Sequence, residues 1–219
     1  MTATAPPATY SLVLPPGWVR IPLRDGTREA LDEKVFRGIE EIPAGVPRDQ
    51  GMAYRLHVRR KVDRMVEEAR RAGGLDLYVP ARVRSRTLMA SSFLVSEIAR
   101  DGDEPGDGYD DASVPGSGPQ AELVLARLAA DRRSGEAGEL RLAGEAMAVR
   151  WEYLTVPDGS DPEVDVGCRH VDYVLPVPGD GGRWLAVSHS TAGDGDPGSA
   201  FTRALTDLFD AVMSTFQWS

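Results

Sequence analysis

Apolar side chains recur at intervals of three and four in four stretches of this chain, and alternate with polar ones in most of the rest. The first helical pattern runs from Arg28 to Ile42, with Leu31, Val35, Phe36 and Ile39 in register. Asp25 or Thr27 is placed to cap it, and Pro43 and Pro47 bound it. The second runs from about Asp49 to Ala72. Its stripe is Tyr54, Val58, Val62, Met65 or Val66, and Ala69, and it stops at Gly73-Gly74. A third spans Gln120 to Arg132 on Leu123, Leu125, Leu128 and Ala129. A fourth, Ser199 to about Thr215, sets Phe201, Leu205, Leu208, Phe209 and Val212 on one face, with Trp218 beyond its end.

Extended segments fill the intervals. Tyr10–Leu14 and Trp18–Leu23 flank a Pro15-Pro16-Gly17 turn. Leu75–Val83 and Thr87–Ile98 read as paired strands around Arg84–Arg86. Glu139–Leu142 and Glu145–Val156 follow the third helix, and Arg169–Val177 with Arg183–Ser190 forms a hairpin across residues 178–182. Residues 1–8 read as a frayed end. Residues 100–118 are acidic, rich in Gly and Pro and poor in apolar side chains, so a mobile loop is expected there. A short echo links Tyr10–Trp18 with Tyr173–Gly179, and shared turn chemistry accounts for it.

Strands joined by short turns pair antiparallel. The expected fold is therefore α+β: one domain over residues 9–219, with a mostly antiparallel sheet of about six to seven strands flanked by helices. At 219 residues the chain is long enough to bury a core without disulfides or metals. Its one cysteine, Cys168, admits no intrachain bridge and suits a reducing compartment. The opening residues lack the basic and apolar regions of an export signal, and no stretch approaches the roughly 20 apolar residues of a membrane span. A cytoplasmic protein is expected, with no membrane insertion. A net charge of −9 and a pI near 4.9 disfavour a general affinity for nucleic acid.

Several features together resemble the Mog1/PsbP-like sandwich fold, which also occurs in LpqN-like proteins of actinobacteria. They are the opening strand with Pro15-Pro16-Gly17-Trp18, then helices, then a central meander. The strand pair Val171–Val177 and Trp184–Ser190 follows, with a terminal helix ending Phe216-Gln217-Trp218. Lipoprotein members carry an export signal and a lipidated cysteine near the start, and neither is expected here, the one cysteine being Cys168. The resemblance implies a non-enzymatic binding or adaptor role and supplies no catalytic residues.

The residues themselves offer little chemistry. Ser188, His189, Ser190 and Asp172 cluster in the proposed hairpin, but consecutive strand residues face opposite ways and no Gly-x-Ser-x-Gly elbow is present. Cys168 and His170 share a strand face, and His189 would join them only with the pairing shifted by one residue. A structural zinc site wants four such ligands and a catalytic one three. Asp101–Gly106 begins like a calcium loop, but Pro105 and Ala112 stand where ligands belong. Asp194–Pro197 is too short for one. Gly116–Pro119 lacks the spacing of a phosphate loop. No metal or cofactor is expected. Of the four tryptophans, Trp18, Trp151, Trp184 and Trp218, most are expected as core anchors, the terminal Trp218 included.

The second helix is the informative surface. Arg55, Arg59, Arg60, Lys61, Arg64, Arg70 and Arg71 outnumber Asp63, Glu67 and Glu68, a local sign reversal in an acidic chain. Arg60, Arg64 and Arg71 fall close to one face, and Arg55, Arg60, Arg64 and Arg71 form the candidate partner-binding set. The reading is a non-enzymatic adaptor, chaperone-like or regulatory protein-binding module with an acidic protein partner, or with the chain's own segment at 101–111 on that surface. A solvated helix with internal ion pairs is the plainer account. A specialised (type VII) secretion system is an expected setting. A small-molecule or lipid pocket near Phe93, Leu94 and Trp151 is one alternative, and an enzyme of unrecognised type is another. Nothing in the pattern fixes the oligomeric state.

Overall fold

The computed structural model describes residues 9–37, 48–81, 90–99, 132–133, 136–157 and 166–219. The elements are β1 (Tyr10–Ser11), β2 (Trp18–Pro22), α1 (Thr27–Ala30) running into a π-helical stretch (Leu31–Phe36), α2 (Arg48–Arg71), β3 (Gly74–Pro80) and β4 (Ala90–Ala99). Then come β5 (Arg132–Arg133), β6 (Glu136–Ala137), β7 (Glu139–Ala143), β8 (Ala146–Thr155), β9 (Cys168–Val177), β10 (Asp180–Gly193), α3 (Ala200–Met213) and β11 (Gln217–Trp218). Residues 120–131 of the expected helix, the acidic segment at 100–118 and the turn at Arg84–Arg86 lie outside the described residues, while Arg132, expected as the helix end, opens strand β5.

Seven strands form one sheet in the order β2-β3-β4-β10-β9-β8-β7. Every neighbouring pair is antiparallel. The α+β class expected from the sequence is the architecture observed. β1 pairs with β11, and reciprocal bonds between Thr9 and Ser219 at 3.1 and 2.9 Å tie the first described residues to the last. Among the described residues no helix is long and apolar enough to cross a membrane.

Alternation along the strands sorts the core onto the two faces of the sheet. Tyr78, Phe93, Val95, Val171, Tyr173, Leu175, Leu185 and Val187 point to the face covered by α3, where Phe209, Val212, Met213 and Phe216 meet them. Phe209 is the hub: its ring lies 5.4 Å from Phe93, 5.9 Å from Tyr173 and 4.6 Å from His189. Truncating such a side chain to Ala costs roughly 3–5 kcal/mol. α3 starts where Ser199 caps it, its Oγ accepting the Thr202 N–H at 3.0 Å. Two of the five side chains expected on its buried face, Phe201 and Leu208, stay 38% and 37% exposed. They lie at the edge of an apolar arc wider than the sheet beneath can cover.

The opposite face carries two clusters. α1, the π-helical stretch and α2 cover β2 and β3, burying Ile21, Leu23, Leu31, Val66, Ala69 and Leu77 together. Val149, Trp151, Val174, Trp184 and Ala186 form the second cluster on β8, β9 and β10. The first helix departs from expectation at its start. Neither Asp25 nor Thr27 caps it. Gly26, at φ +74°, stands at the cap position, while the Thr27 hydroxyl donates to the Pro22 carbonyl at 2.7 Å. A left-handed turn lets the chain reverse out of β2 without a side-chain cap.

Two buried ionic networks fix the sheet to what covers it. Asp76, 2% exposed, takes two bonds from Arg20 at 2.6 and 2.9 Å and a third from the Tyr10 hydroxyl. Burial, then the neighbouring Tyr78, holds the Tyr10 phenol protonated far above its ordinary range. Arg150 donates to Asp210 of α3 at 3.0 Å and to Glu152 at 2.7 Å, and Tyr173 donates to Asp210 at 2.9 Å. Burial opposes the charge on Arg150, but its bonds to Asp210 and Glu152 outweigh that and raise its pKa. Removing one partner from such a network leaves a buried charge without its counterion.

Candidate functional site

α2 buries one side and turns the other to solvent. Val66 and Ala69 are buried and Val62 and Met65 half-buried against the first strands. At about 100° per residue, positions 60, 71 and 64 lie within about 40° of one another, directly away from that packed side. Arg60, Arg64 and Arg71 are all exposed there. Leu56, 52% exposed, extends the same stripe toward the helix start, with Met52, 64% exposed, one turn further. The arrangement is an apolar patch running into a cationic one.

Two other cations of the helix do other work. Arg59 pairs with Asp32 at 2.8 Å and lies over the Phe36 ring at 4.7 Å. Arg70 donates to the Leu23 carbonyl at 2.8 Å and to the Thr27 hydroxyl at 2.7 Å, locking α2 to α1. Arg71 makes an i,i+4 pair with Glu67 at 3.3 Å, both well exposed. The outward positive surplus is therefore smaller than the sequence count. Position 55 lies about 140° around the helix from position 60, and the Arg55 side chain is outside the described residues. So is the acidic segment at 101–111.

The hairpin residues separate as alternation requires. His189 is 1% exposed on the α3 face, stacked on Phe209, with Nε2 3.0 Å from the Ser91 hydroxyl. Its Nδ1 meets no partner among the described residues. Burial, then the charge of His170, pushes its pKa down to about 4, so the ring is a neutral core residue. Ser188 lies on the other face, directly across from Asp172. His170 and Cys168 share that face, but His189 pairs in register with Val171 and cannot join them. Among the described residues no three His, Cys, Asp or Glu side chains are grouped to hold a metal ion. Asp194 serves the α3 cap instead, accepting from Ser199 at 2.7 Å, and that bond holds its carboxyl below the usual range.

One constellation escaped the sequence reading. Ser92, Ser190, His170 and Tyr153 stand in register across β4, β10, β9 and β8, with Ser188 and Asp172 in the adjoining row. Serine, histidine and aspartate thus share a face. Their bonding is not that of a nucleophilic triad. His170 directs Nε2 to Thr155 Oγ1 at 2.9 Å and stacks on Tyr153 at 4.9 Å, while Tyr153 donates to Asp172 at 3.2 Å. A triad needs the carboxylate to orient the imidazole and the imidazole to reach the hydroxyl. Burial pushes the His170 pKa down, against the pull of Asp172. The signal available in the sequence was the apolar alternation at 171, 173, 175 and 177, which sends 170 and 172 to the opposite face.

Phe93 and Trp151 lie on opposite faces of the sheet, Phe93 against Phe209 and Trp151 with Val149 and Trp184, so they line no common pocket. A groove of about 520 Å³ opens instead beside β2, where Trp18 and Val19 face Glu33, Lys34 and Arg37. Its lining is mixed, apolar on the β2 side and charged on the helical side. Trp218 is half-buried, edge-on to Phe216 at 5.0 Å. A further exposed surface was not expected at all: Leu140 and Leu142 of the terminal strand β7 are 52% and 62% exposed, beside Met147 at 41%. Their alternation reads like that of core residues.

Compared with known protein families, curated proteins and solved structures, the chain matches none.

Proposed function

We propose that the protein is a non-enzymatic binding module that docks an acidic, partly apolar segment of another protein on the outward face of α2. The observation that carries this reading is the stripe of Leu56, Arg60, Arg64 and Arg71, exposed together on a chain of net charge −9. Exposed ion pairs contribute only about 0–1 kcal/mol each. The arginines would therefore select the partner and speed its approach, while Leu56 and Met52 supply apolar contact. The resemblance to Mog1/PsbP-like proteins points the same way, to binding rather than catalysis. The setting we propose is a cytoplasmic adaptor, with a type VII secretion system as its context.

The test uses the wild-type chain and an Arg60→Glu/Arg64→Glu variant as baits in an extract of the source cells. Any recovered protein is then titrated against both. The expected result is one acidic protein bound by the wild type. Charge reversal should weaken it about tenfold or more, and the wild-type affinity should fall steeply with salt. Equal binding by both baits, or salt-insensitive binding, would overturn the assignment to this face.

A further inference from the structure

The terminal strand β7 is built to pair with itself, and we infer that the protein forms a two-fold homodimer through it. Among the described residues no strand lies beyond β7 in the seven-stranded sheet. Edge strands are usually blunted by short length, proline, charged side chains, a bulge or a covering element, and the two charges of β7 are of opposite sign, so across a two-fold axis they can pair rather than repel. β7 reads Glu-Leu-Arg-Leu-Ala and has regular register along its whole length.

Which backbone groups face the open edge follows from the adjoining hairpin. A two-residue turn, Gly144-Glu145, joins Ala143 to Ala146. Such a turn closes on a hydrogen-bonded pair, and hydrogen-bonded and non-hydrogen-bonded pairs then alternate along the ladder. Ala143, Arg141 and Glu139 thus spend their N–H and C=O groups on β8. Leu142 and Leu140 turn theirs to the edge.

Charge then selects one register. With the two-fold axis at Arg141, two guanidinium groups would stand directly opposite. With the axis at Leu142, Arg141 would face alanine and the ladder would run into the turn. With the axis at Leu140, Leu140 meets its own copy through two reciprocal backbone bonds. Glu139 then faces Arg141 of the second copy, and Arg141 faces that copy's Glu139. Both charges sit on one sheet face, where within one chain they already pair at 3.0 Å. On the other face Leu140 meets its own copy and Leu142 lies against Gly138 of the second copy, so the two leucines, 52% and 62% exposed in one chain, are partly removed from water. The ladder is confined to Gly138–Leu142, because Ala137 and Glu136 are already paired with β5. A contact of this size makes a weak, concentration-dependent dimer rather than an obligate one. An isologous contact is self-closing, so it stops at two copies. This inference is independent of the α2 reading.

Sedimentation velocity over a concentration series tests it. Wild type should pass from monomer to dimer as concentration rises. Arg141→Glu places two carboxylates opposite each other at both ends of the contact and should weaken the dimer about tenfold or more. Glu139→Arg combined with Arg141→Glu restores opposite charges and should restore the dimer. Leu140→Lys, at a position 52% exposed in one chain, sets two ammonium groups directly opposite on the axis and should abolish it while leaving the thermal midpoint nearly unchanged. Arg60→Glu/Arg64→Glu should have no effect. A wild type that stays monomeric throughout, a dimer indifferent to Arg141→Glu, or a double exchange that fails to rescue would each overturn the inference.

Discussion

His189 should make this protein lose stability in mild acid, before any carboxylate matters. The ring is 1% exposed, stacked on Phe209 and bonded through Nε2 to Ser91. Charging it there would place a cation in an apolar core, so burial pushes its pKa from 6.5 to about 4. In the unfolded chain the same ring takes a proton near pH 6.5. Between these values the unfolded state holds one more proton than the native state, and stability falls as pH falls, by about 1.4 kcal/mol per unit. The whole window is worth about 3 kcal/mol, a large share of a typical stability of roughly 5–15 kcal/mol. Glu97 and Glu152 are held below the ordinary carboxylate value of 4.5, so their loss comes at lower pH. The assay is urea denaturation at intervals from pH 7 to pH 4.5, for wild type and for His189→Gln. The variant starts less stable, but its curve should be flatter across that range. His170→Gln controls for the other depressed imidazole, which acts in the same direction. Parallel curves for wild type and His189→Gln would refute the reasoning.

Two backbone predictions follow from the turns. Gly144 has φ +57°, and a β-carbon there would fall 1.9 Å from the Phe216 carbonyl oxygen. Gly144→Ala should therefore cost roughly 3 kcal/mol or more, a fall in thermal midpoint of about 6–12 °C by calorimetry. Gly195→Ala, at φ +99° with open space around it, should cost only the backbone strain of about 1–2 kcal/mol. Similar losses at both sites would show that the contact with Phe216 is not what matters. Ser199→Ala removes the cap of α3 and should cost about 1 kcal/mol by urea denaturation, with Ser199→Thr, which keeps the hydroxyl that both caps Thr202 and donates to Asp194, retaining most of the stability. A neutral Ser199→Ala would mean that the Asp194 turn alone holds the helix start.

Much of the fold was legible locally. The 3.6-residue stripe of Val62, Val66 and Ala69 and the serine before α3 announced their helices, and alternation set 171, 173 and 175 against 170, 172 and 174. Hairpin partners close in sequence were readable too, because turn chemistry and a two-residue period fix local register. The candidate surface on α2 was readable for the same reason: rotation along a helix places Arg60, Arg64 and Arg71 together whatever the helix packs on.

What the chain's own pattern determined was therefore the order and type of the longer described elements and which side chains share a face. Which strands far apart in sequence would be neighbours was decided only in three dimensions. β4 lies against β10, bringing Ser91 to His189 across 98 residues of chain. β1 closes on β11, and Asp76 gathers Arg20 and Tyr10 from two other elements. Tertiary packing also decided that Arg59 and Arg70 tie α2 to α1 and the segment around it, that Phe201 and Leu208 remain exposed, and that Leu140 and Leu142 stand on a sheet edge. Periodicity records the direction in which a side chain points. It carries no record of what waits there, because that depends on contacts between segments far apart along the chain.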